Sequence, residues 1–562
     1  MRYERQLLLT LALIGMGMMA SPATSVGQVN ADYSAVPPFL TSAVTPNVLI
    51  LMDNSGSMGY RAACDSDTNQ SAPNFNLCPG GGAFLETTAY TGLFDSLGCY
   101  TYDAANIRFI PSGIAKALIS TACASTLWDG NLLNWITFRR QDALKKALMG
   151  GQCTVTRASD GTCPPSGSTP LITIKTEDVF GSSCCDDVST PRLPTGSGVN
   201  AANGRVPTAV QTLGLSPANL VFHVRGSGTL AGAFCVANPL NGLMSSSASS
   251  CTVSGGGFTE QKFVSHLTVT TEPVGVIQQL GDKARFGLLE FRNSGDGGKV
   301  LVPIGSTQSV PYDASTVVTH SSNKAAMITA IEKTNPATNT PLGETLYTGL
   351  RYIAQLPQPF STSTYLYPIA FTPGGPSFQA SQTAGGLGSA EISPLSGSET
   401  CPAGYIARGC GRDPFFFASN PSPAWASPSR QVSCCKTFVM ILTDGEPTMD
   451  TNIPAALQDY AHAAHGLHCT GNSSAVPPPA GTCFTSNTVS IPPAMLLQQH
   501  KVDYSGSGGS VNHSMDDVAY WGHTTDLRQA TIPGINEAGH DLPGIQNVTV
   551  YTFFAFGNIN GR

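Results

Sequence analysis

The sequence predicts an α/β fold with a doubly wound, mostly parallel sheet. Four continuous apolar runs are typical of strands buried on both faces of such a sheet, and they are Asn47–Met52, Arg285–Phe291, 437–442 and Val548–Phe554. Between them, three stretches carry apolar residues at helical spacing, at 131–149, 323–332 and 342–356. Strands that alternate with helices indicate a sheet covered by helices.

The composition predicts a folded protein with a sizeable core and much uncharged loop. The 562 residues are 41% hydrophobic and only 12% charged, and they include 59 Gly and 40 Pro. The formal net charge is -7, and no stretch is dense in Lys or Arg. Because binding to phosphate backbones needs a basic surface, nucleic acid is excluded as an expected partner.

The amino-terminal residues predict export. Arg2 and Arg5 precede an apolar run over residues 7–20, and small residues follow through Ser25. This three-part pattern is typical of a cleaved signal peptide, which we place at residues 1–27, followed by a lead-in at residues 28–45. A membrane anchor is the alternative, but the run is shorter than the roughly 20 residues that a span needs. We therefore expect no stable membrane span after cleavage.

The cysteines agree with an oxidising compartment. The chain has 16 Cys, scattered through loop-like segments and not grouped as metal knuckles. Disulfides are the default interpretation, and the sequence leaves their connectivity open. The vicinal pairs Cys184-Cys185 and Cys434-Cys435 are expected to bond to distant partners, because adjacent cysteines rarely meet disulfide geometry.

Long segments rich in Gly, Ser and Pro separate the predicted core elements. They lie near residues 60–127, 151–262, 358–433 and 470–512 and hold most of the cysteines. Loops of this length are uncommon without a function. We interpret residues 46–558 as one domain with large disulfide-containing insertions at the rim of its sheet.

A turn directly after the first predicted strand carries the residues of a candidate metal site. Asp53, Ser55 and Ser57 place one carboxylate and two hydroxyls at alternate positions of this turn. Open α/β sheets bind ligands at the carboxyl ends of their strands. Oxygen ligands suit a hard cation, but Mg²⁺ takes about six of them. Further ligands must therefore come from elsewhere in the chain.

Two other segments can supply them. The strand at 437–442 ends in Thr443-Asp444-Gly445-Glu446, and parallel strands would place Asp444 at the same edge as Asp53. Thr340 lies in a loop that opens the helix predicted at 342–356. Asp-x-Ser-x-Ser, then Thr, then Asp, is the pattern of the metal-ion-dependent adhesion site of von Willebrand factor type A domains.

The resemblance extends beyond this motif. The chain resembles the amino-terminal region of the PilY-type adhesins of type IV pilus tips at residues 38–58, 99–102 (Cys-Tyr-Thr-Tyr), 130–135 (Gly-Asn-Leu-Leu-Asn-Trp), 339–347, 516–519 and 525–528. These blocks span residues from about 37 to 556, and together they are specific to that family. The resemblance implies a Rossmann-like von Willebrand type A fold.

The resemblance also implies how the site works. Ser55, Ser57 and Thr340 would be direct or switchable ligands, and Asp53 and Asp444 would bind largely through water. The cation, with Mg²⁺ expected first and Mn²⁺ or Ca²⁺ as alternatives, would stay electrophilic. A carboxylate from a protein ligand would then complete its coordination. The implied partners are pilus components such as minor pilins, and the implied location is the bacterial surface, pilus tip or outer membrane, reached through the periplasm.

The family usually continues into a carboxy-terminal β-propeller, which we expect to be absent because the sequence ends at Arg562. A truncated or split gene is the expected explanation. The helix that normally follows the last strand also has no counterpart, so an apolar face or edge of that strand is expected to be exposed.

Two weaker metal patterns are interpreted as structural. The polar run at residues 65–69 begins like a calcium loop, but Gln70 replaces the turn glycine and Asn76 the bidentate Glu. His462, His465 and His468 recur every third residue beside Cys469 but have no fourth ligand. We expect a solvated loop and a helix surface, respectively.

Three functions compete at this stage. The first is cation-dependent adhesion to a surface or host ligand. The second is a structural or mechanosensing part of pilus assembly in which the metal only stabilises the fold. The third, an enzyme, is not expected, because the turn around Ser55 is acidic, lacks an adjacent His, and offers no general base to activate water.

Overall fold

The computed structural model describes part of the chain. The described residues are 46–59, 62, 84–158, 160–165, 171–177, 205–211, 221–225, 233–237, 261–280, 283–292, 296–305, 311–313, 316–319, 323–356, 359–360, 364–365, 414–415, 435–444, 449–457, 460, 467–469, 483–485, 515–539 and 541–554. They belong to one compact unit, which spans Val44–Arg562.

The strands, in chain order, are β1 (Asn47–Met52), β2 (Gly98–Asp103), β3 (Arg108–Ala115), β4 (Trp128–Asp129), β5 (Gln152–Cys153), β6 (Ile172–Lys175), β7 (Val221–Arg225), β8 (Ala233–Ala237), β9 (Gln261–Val264), β10 (His266–Val269), β11 (Arg285–Phe291), β12 (Gly298–Gly305), β13 (Pro311–Asp313), β14 (Thr316–Thr319), β15 (Thr364–Tyr365), β16 (Thr437–Thr443), β17 (Leu467–Cys469), β18 (Cys483–Thr485), β19 (Thr531–Ile532), β20 (Glu537–Ala538) and β21 (Val548–Phe554). The helices are α1 (Gly130–Thr137), α2 (Arg140–Met149), α3 (Thr208–Gln211), α4 (Val276–Leu280), α5 (Asn323–Lys333), α6 (Leu342–Ile353) and α7 (Met515–Thr524), and a 3-10 turn spans Gly56–Gly59.

The main sheet has the strand order β15-β12-β11-β1-β16-β21. β1 lies parallel to both β11 and β16, and β16 lies parallel to β21. β12 runs antiparallel to β11 and parallel to β15. The register pairs Met52 with Glu290 on one side and with Leu442 on the other. The carboxyl ends of three neighbouring strands therefore meet at one edge of the sheet.

Helices pack on both faces of the main sheet. Leu346 and Leu350 of α6 join Leu49 and Leu51 of β1 in one core cluster, which also takes in Trp521 of α7. Leu289 of β11 belongs to the same cluster, so the next side chain along the strand, Glu290, lies on the opposite face. Thr334, directly after α5, donates a hydrogen bond of 2.8 Å to Glu290, which places α5 on that opposite face. All six residues of β1 are buried, as its apolar sequence requires.

A second sheet has the order β4-β2-β3-β10-β6-β5 and mixes parallel and antiparallel pairs. Its core is aromatic. Trp128 and Phe109 lie with ring centroids 5.7 Å apart in an edge-to-face arrangement, and Trp135 of α1 is buried beside Phe84. The predicted insertions at 60–127 and 151–262 thus contribute a sheet with its own core, which the sequence analysis did not predict.

Two disulfides stabilise this part of the chain. Cys99 bonds to Cys123, and Cys153 bonds to Cys163. Each closes a short loop, with sequence separations of 24 and 10 residues. The expectation of disulfides is confirmed for these two pairs. Cys435 is buried, and the other vicinal cysteines lie outside the described residues.

The helix predicted at 131–149 is wrong as a single element. The structure divides it into α1 and α2, with an extended break at Phe138 and Arg139. Arg139 has φ -108° and ψ 164°, and its backbone N–H donates to the Asp142 carboxylate, 2.8 Å away. This hydrogen bond from Arg139 to the Asp142 carboxylate caps the start of the second helix and outweighs the continuous helical spacing of the apolar residues. The break also aims the start of α2 at the main sheet.

Other expectations differ less or lie outside the described residues. The four predicted strands are present, and β16 extends one residue further, to Thr443. The helix surface expected around His468 is wrong at that residue, because His468 and Cys469 lie in β17, paired with β18. The signal peptide, the lead-in, His462, His465 and the polar run at 65–69 lie outside the described residues. In the described part of the chain, no helix is both long and apolar enough to cross a membrane.

Candidate metal centre at the edge of the main sheet

The turn after β1 is buried at the carboxyl edge of the main sheet. Asp53 is fully buried, and Ser55 is only 2% exposed. The backbone N–H of Asp53 donates to the carbonyl of Leu442, 2.9 Å away, so the turn is fixed to the end of β16. The 3-10 turn Gly56–Gly59 then carries Ser57.

Both oxygens of the Asp53 carboxylate accept hydrogen bonds. Oδ1 accepts from the backbone N–H of Ser55 at 2.7 Å. Oδ2 accepts from the Thr443 hydroxyl at 2.6 Å and, more weakly, from the backbone N–H of Asp444 at 3.4 Å. The carboxylate therefore joins the ends of β1 and β16 in a fixed orientation.

A chain of hydrogen bonds connects three of the predicted site residues. The hydroxyls of Ser55 and Ser57 lie 2.9 Å apart. Ser57 donates to Oδ1 of Asp444, 2.8 Å away and 387 residues distant in sequence. The structure thus brings Asp53, Ser55, Ser57 and Asp444 into one connected cluster.

The loop that carries Thr340 lies against the same turn. The backbone N–H of Gly56 donates to the carbonyl of Thr338 at 2.9 Å, and the Thr338 hydroxyl donates to the carbonyl of Asn54 at 3.0 Å. Thr340, two residues further, is 5% exposed and directly precedes Pro341 at the start of α6. Thr338 therefore contacts the turn directly, and the predicted ligand Thr340 lies two residues further along the same loop.

Asn54 organises the turn from within. Its side-chain amide donates to the carbonyl of Phe291 at 3.2 Å and accepts from the Phe291 backbone N–H at 3.0 Å. Its own carbonyl accepts from the backbone N–H of Ala337 at 2.9 Å. Asn54 therefore holds together the end of β11, the turn after β1 and the loop before α6. Asn54 is not among the residues predicted from the sequence.

A second carboxylate pair fixes the start of α6. Asp450 accepts from the backbone N–H groups of Gly343 and Glu344 at 2.7 and 2.8 Å, which caps the helix from a distant segment. Glu344 in turn accepts from the backbone N–H groups of Thr451 and Asn452. Because α6 begins two residues after Thr340, this reciprocal cap restricts the position of that residue.

Arg140 reaches the cluster from the start of α2, and it is not among the residues predicted from the sequence. Its guanidinium lies 2.7 Å from Oδ2 of Asp444, and both side chains are fully buried. The two residues are 304 positions apart, so no local sequence pattern indicates the pair. The single helix predicted at 131–149 also did not indicate that a separate helix begins at Arg140. The two oxygens of Asp444 therefore have different partners, Ser57 on one and Arg140 on the other.

The charges of the cluster are poorly balanced. Burial, followed by the nearby Asp444 carboxylate, raises the pKa of Asp53 to about 7, although hydrogen bonds from Ser55 and Thr443 oppose the shift. A divalent cation bound near the two carboxylates would stabilise their charged forms, and so would oppose the rise in the pKa of Asp53 that burial and repulsion cause. The cluster is thus a place where a positive charge is favoured.

The donor set fits a hard cation. The five predicted ligands offer carboxylate and hydroxyl oxygens, which Mg²⁺ and Ca²⁺ prefer. They are Asp53, Ser55, Ser57, Thr340 and Asp444. Among the described residues, no group of three or more His, Cys, Asp or Glu is arranged to hold a metal ion. The cluster has only two carboxylates, so it differs from sites of that kind and depends on its hydroxyls.

Fold and site together define an α/β protein in which a small α/β segment is linked to a parallel-stranded sheet with a polar cluster at its edge. Residues 82–177 match the family model described as the PilY1 homolog small alpha/beta domain. This match indicates a type IV pilus-related, exported and pilus-associated protein with pilus-related partners. No curated protein and no solved structure matches the chain.

The matched residues coincide with structure already described. They contain both disulfides, most strands of the second sheet and the whole of α1 and α2. Arg140 therefore belongs to the matched segment, whereas the other cluster residues lie outside it. The cluster lies where this segment meets the main sheet.

Proposed function

We propose that the chain is an exported, cation-dependent adhesion module of a type IV pilus, built on a von Willebrand factor type A domain. The observation that carries this proposal is the hydrogen-bonded chain from Ser55 through Ser57 to Asp444, with Asp53 beside it. It supports a cation site at the carboxyl edge of a parallel sheet, where such folds bind ligands.

In this proposal Ser55, Ser57 and Thr340 hold the cation through their hydroxyls, while Asp53 and Asp444 balance its charge. Mg²⁺ is the expected ion, with Mn²⁺ and Ca²⁺ as alternatives. The cation supplies a Lewis-acidic position that accepts a carboxylate from a protein ligand. Catalysis is not part of the proposal, because the Ser55 hydroxyl is paired with Ser57, an arrangement suited to a ligand and not to an activated nucleophile.

The cation site is tested by thermal unfolding of the purified exported chain with Mg²⁺, with Mn²⁺ and with a chelator. An ion that binds only the folded protein stabilises it by about 2.7 kcal/mol at a concentration of about 100 times its Kd. We expect this gain for the wild type and not for Asp53→Asn, in which the amide keeps the shape of the side chain.

The Asn variant also gives an internal control. It removes a carboxylate that burial and Asp444 disfavour, but it also gives up one of two acceptor oxygens, so its stability in chelator should stay close to that of the wild type. Loss of the cation response then cannot be attributed to misfolding. An equal gain from cations in both proteins would contradict the proposed site.

Adhesion itself needs a separate test. Surface attachment is compared between cells that carry the wild type and cells that carry Asp53→Ala, both with assembled pili. We expect attachment to fall in the variant. Unchanged attachment by a variant that has lost cation binding would instead favour the second candidate, a structural or mechanosensing role in which the metal only stabilises the fold.

A further inference from the structure

Resting on the proposed cation site, we infer that Arg140 is a built-in counter-charge of that site: it weakens cation binding and strengthens the hold of the cation-loaded site on an anionic ligand. The observation behind it is the buried ion pair between Arg140 and Asp444. This role gives the matched small α/β segment a direct part in ligand binding.

Arg140 and the cation can share the Asp444 carboxylate without competing for the same oxygen. Arg140 contacts Oδ2 of Asp444, whereas Ser57, one of the proposed ligands, contacts Oδ1. Arg140 thus orients Asp444 so that Oδ1 faces the serines. The cation has no need to displace the guanidinium in order to bind.

The start of α2 is fixed, so Arg140 cannot easily move away from Asp444. The preceding residue, Arg139, donates to the carbonyl of Gly59 at 2.8 Å, at the end of the 3-10 turn that carries Ser57. Asp142 is held by the backbone N–H groups of Arg139 and Glu177 at 2.8 and 2.6 Å. The start of α2 is therefore tied to the site on one side and to β6 and its following residues on the other.

Arg140 changes the net charge of the cation-loaded cluster. With both carboxylates ionised, Asp53 and Asp444 bring two negative charges and Arg140 one positive charge. A bound divalent cation then leaves the buried cluster with one net positive charge, whereas without Arg140 it would be neutral. Because like charges repel strongly at low dielectric, Arg140 opposes the cation. For the same reason, the positive remainder favours a ligand carboxylate.

The test uses calorimetric titration of the whole exported chain with Mn²⁺, followed by titration of the Mn²⁺-saturated protein with acetate. We expect Arg140→Gln to bind Mn²⁺ at least about tenfold more tightly than the wild type, which corresponds to about 1.4 kcal/mol. The same variant should bind acetate at least about threefold more weakly. A general loss of structure would weaken both titrations, so the opposite signs are specific to the counter-charge.

Two further variants serve as controls. Arg140→Lys keeps the charge and should stay within about threefold of the wild type for both titrants. Arg205→Gln removes another buried guanidinium, which lies 2.5 Å from Asp129 of the matched segment, and should change neither affinity. If Arg140→Gln does not fold, as judged by circular dichroism, Arg140→Met removes the charge while filling the space and is measured in its place.

The outcomes separate this inference from the proposed function. Equal Mn²⁺ affinity in the wild type and the uncharged variant would overturn the role of Arg140 and leave the cation site standing. Tighter Mn²⁺ binding by Arg140→Lys, equal to that of Arg140→Gln, would also overturn it. Failure of every protein to bind Mn²⁺ would overturn the cation site and, with it, this inference.

Discussion

Asp450 shows how one buried carboxylate makes the fold sensitive to pH. It caps α6 through two backbone N–H groups, yet its burial raises its pKa to about 7. A folded-state pKa above the unfolded value means that folding takes up a proton between the two values. The stability due to this group is complete below the unfolded pKa of about 4 and is lost as the pH rises through about 7.

We therefore expect Asp450→Asn to change the pH dependence of folding. The wild type should lose stability relative to the variant between about pH 5 and about pH 7, by up to about 1.4 kcal/mol per pH unit. Urea unfolding of both proteins across this range, in chelator, measures the difference. Asp103→Asn is the control: hydrogen bonds, first from the Asn106 side chain, lower the pKa of this partly exposed carboxylate, so the variant should keep the wild-type slope between pH 5 and pH 7. A difference that stays constant with pH would contradict the assignment.

The site residues differ in how far the sequence could predict them. Asp53, Ser55 and Ser57 share one turn, and Asp444 ends a strongly apolar strand, so their meeting followed from the rule that parallel strands end at one edge. Arg140 and Asp450 could not be found this way. Each acts on a partner more than 100 residues away, and neither lies at a strand end that periodicity would mark.

Among the elements, the strands of the main sheet were the easiest to predict. β1 and β11 are buried on both faces, so their sequences are mostly apolar and carry a strong signal. In the second sheet, β2 and β3 mix buried with exposed residues, and β4 and β5 have only two residues each. Its strands are held by long-range pairing and disulfides, which hydrophobic periodicity does not report.

Within the described part of the chain, one face of β21 is partly exposed. Val548 and Val550 pack towards the core beside α7, whereas Tyr551 and Phe553 are 40% and 53% exposed. Tyr551 stacks on Phe438 of β16, with ring centroids 6.1 Å apart. The exposed apolar face expected from the sequence is thus present at the described edge of the main sheet.

We expect the double variant Tyr551→Thr, Phe553→Thr to reduce self-association of the isolated chain. Threonine keeps the β-propensity of the edge strand while removing exposed aromatic surface. Analytical ultracentrifugation compares the variant with the wild type, and thermal unfolding should change little. Val550→Thr, on the covered face, is the matched control and should lower stability without reducing association. Equal association of the double variant and the wild type would contradict this role of the face.

At the scale of the whole molecule, Glu332 at the end of α5 joins the matched small segment to the main sheet. Its carboxylate accepts from the backbone N–H of Cys153 at 2.7 Å and from Arg157 at 3.3 Å. Its carbonyl accepts from Lys145, 3.0 Å away, which also forms a buried ion pair with Glu177. The disulfide-bonded segment is therefore attached to the helix layer of the sheet.

We expect Glu332→Ala to destabilise both parts together, by about 1–3 kcal/mol, because the Cys153 N–H and Arg157 lose an acceptor. Glu332→Gln keeps an acceptor and should cost less. Limited proteolysis at increasing urea concentration measures the unfolding, and cleavage is mapped separately to the second sheet and to α7. A shift of one region without the other would contradict the attachment.

The pairing of β1 has a consequence for how the chain folds. Asn47 pairs with Arg285 on one side and with Thr437 on the other, and Thr437 pairs in turn with Val548. β1 precedes the other strands in the sequence, but its second neighbour, β16, follows only 390 residues later. Such high contact order slows folding, whereas the disulfide loops of the small segment close locally and early. The small segment should therefore fold first and act as the scaffold on which the polar cluster is assembled last.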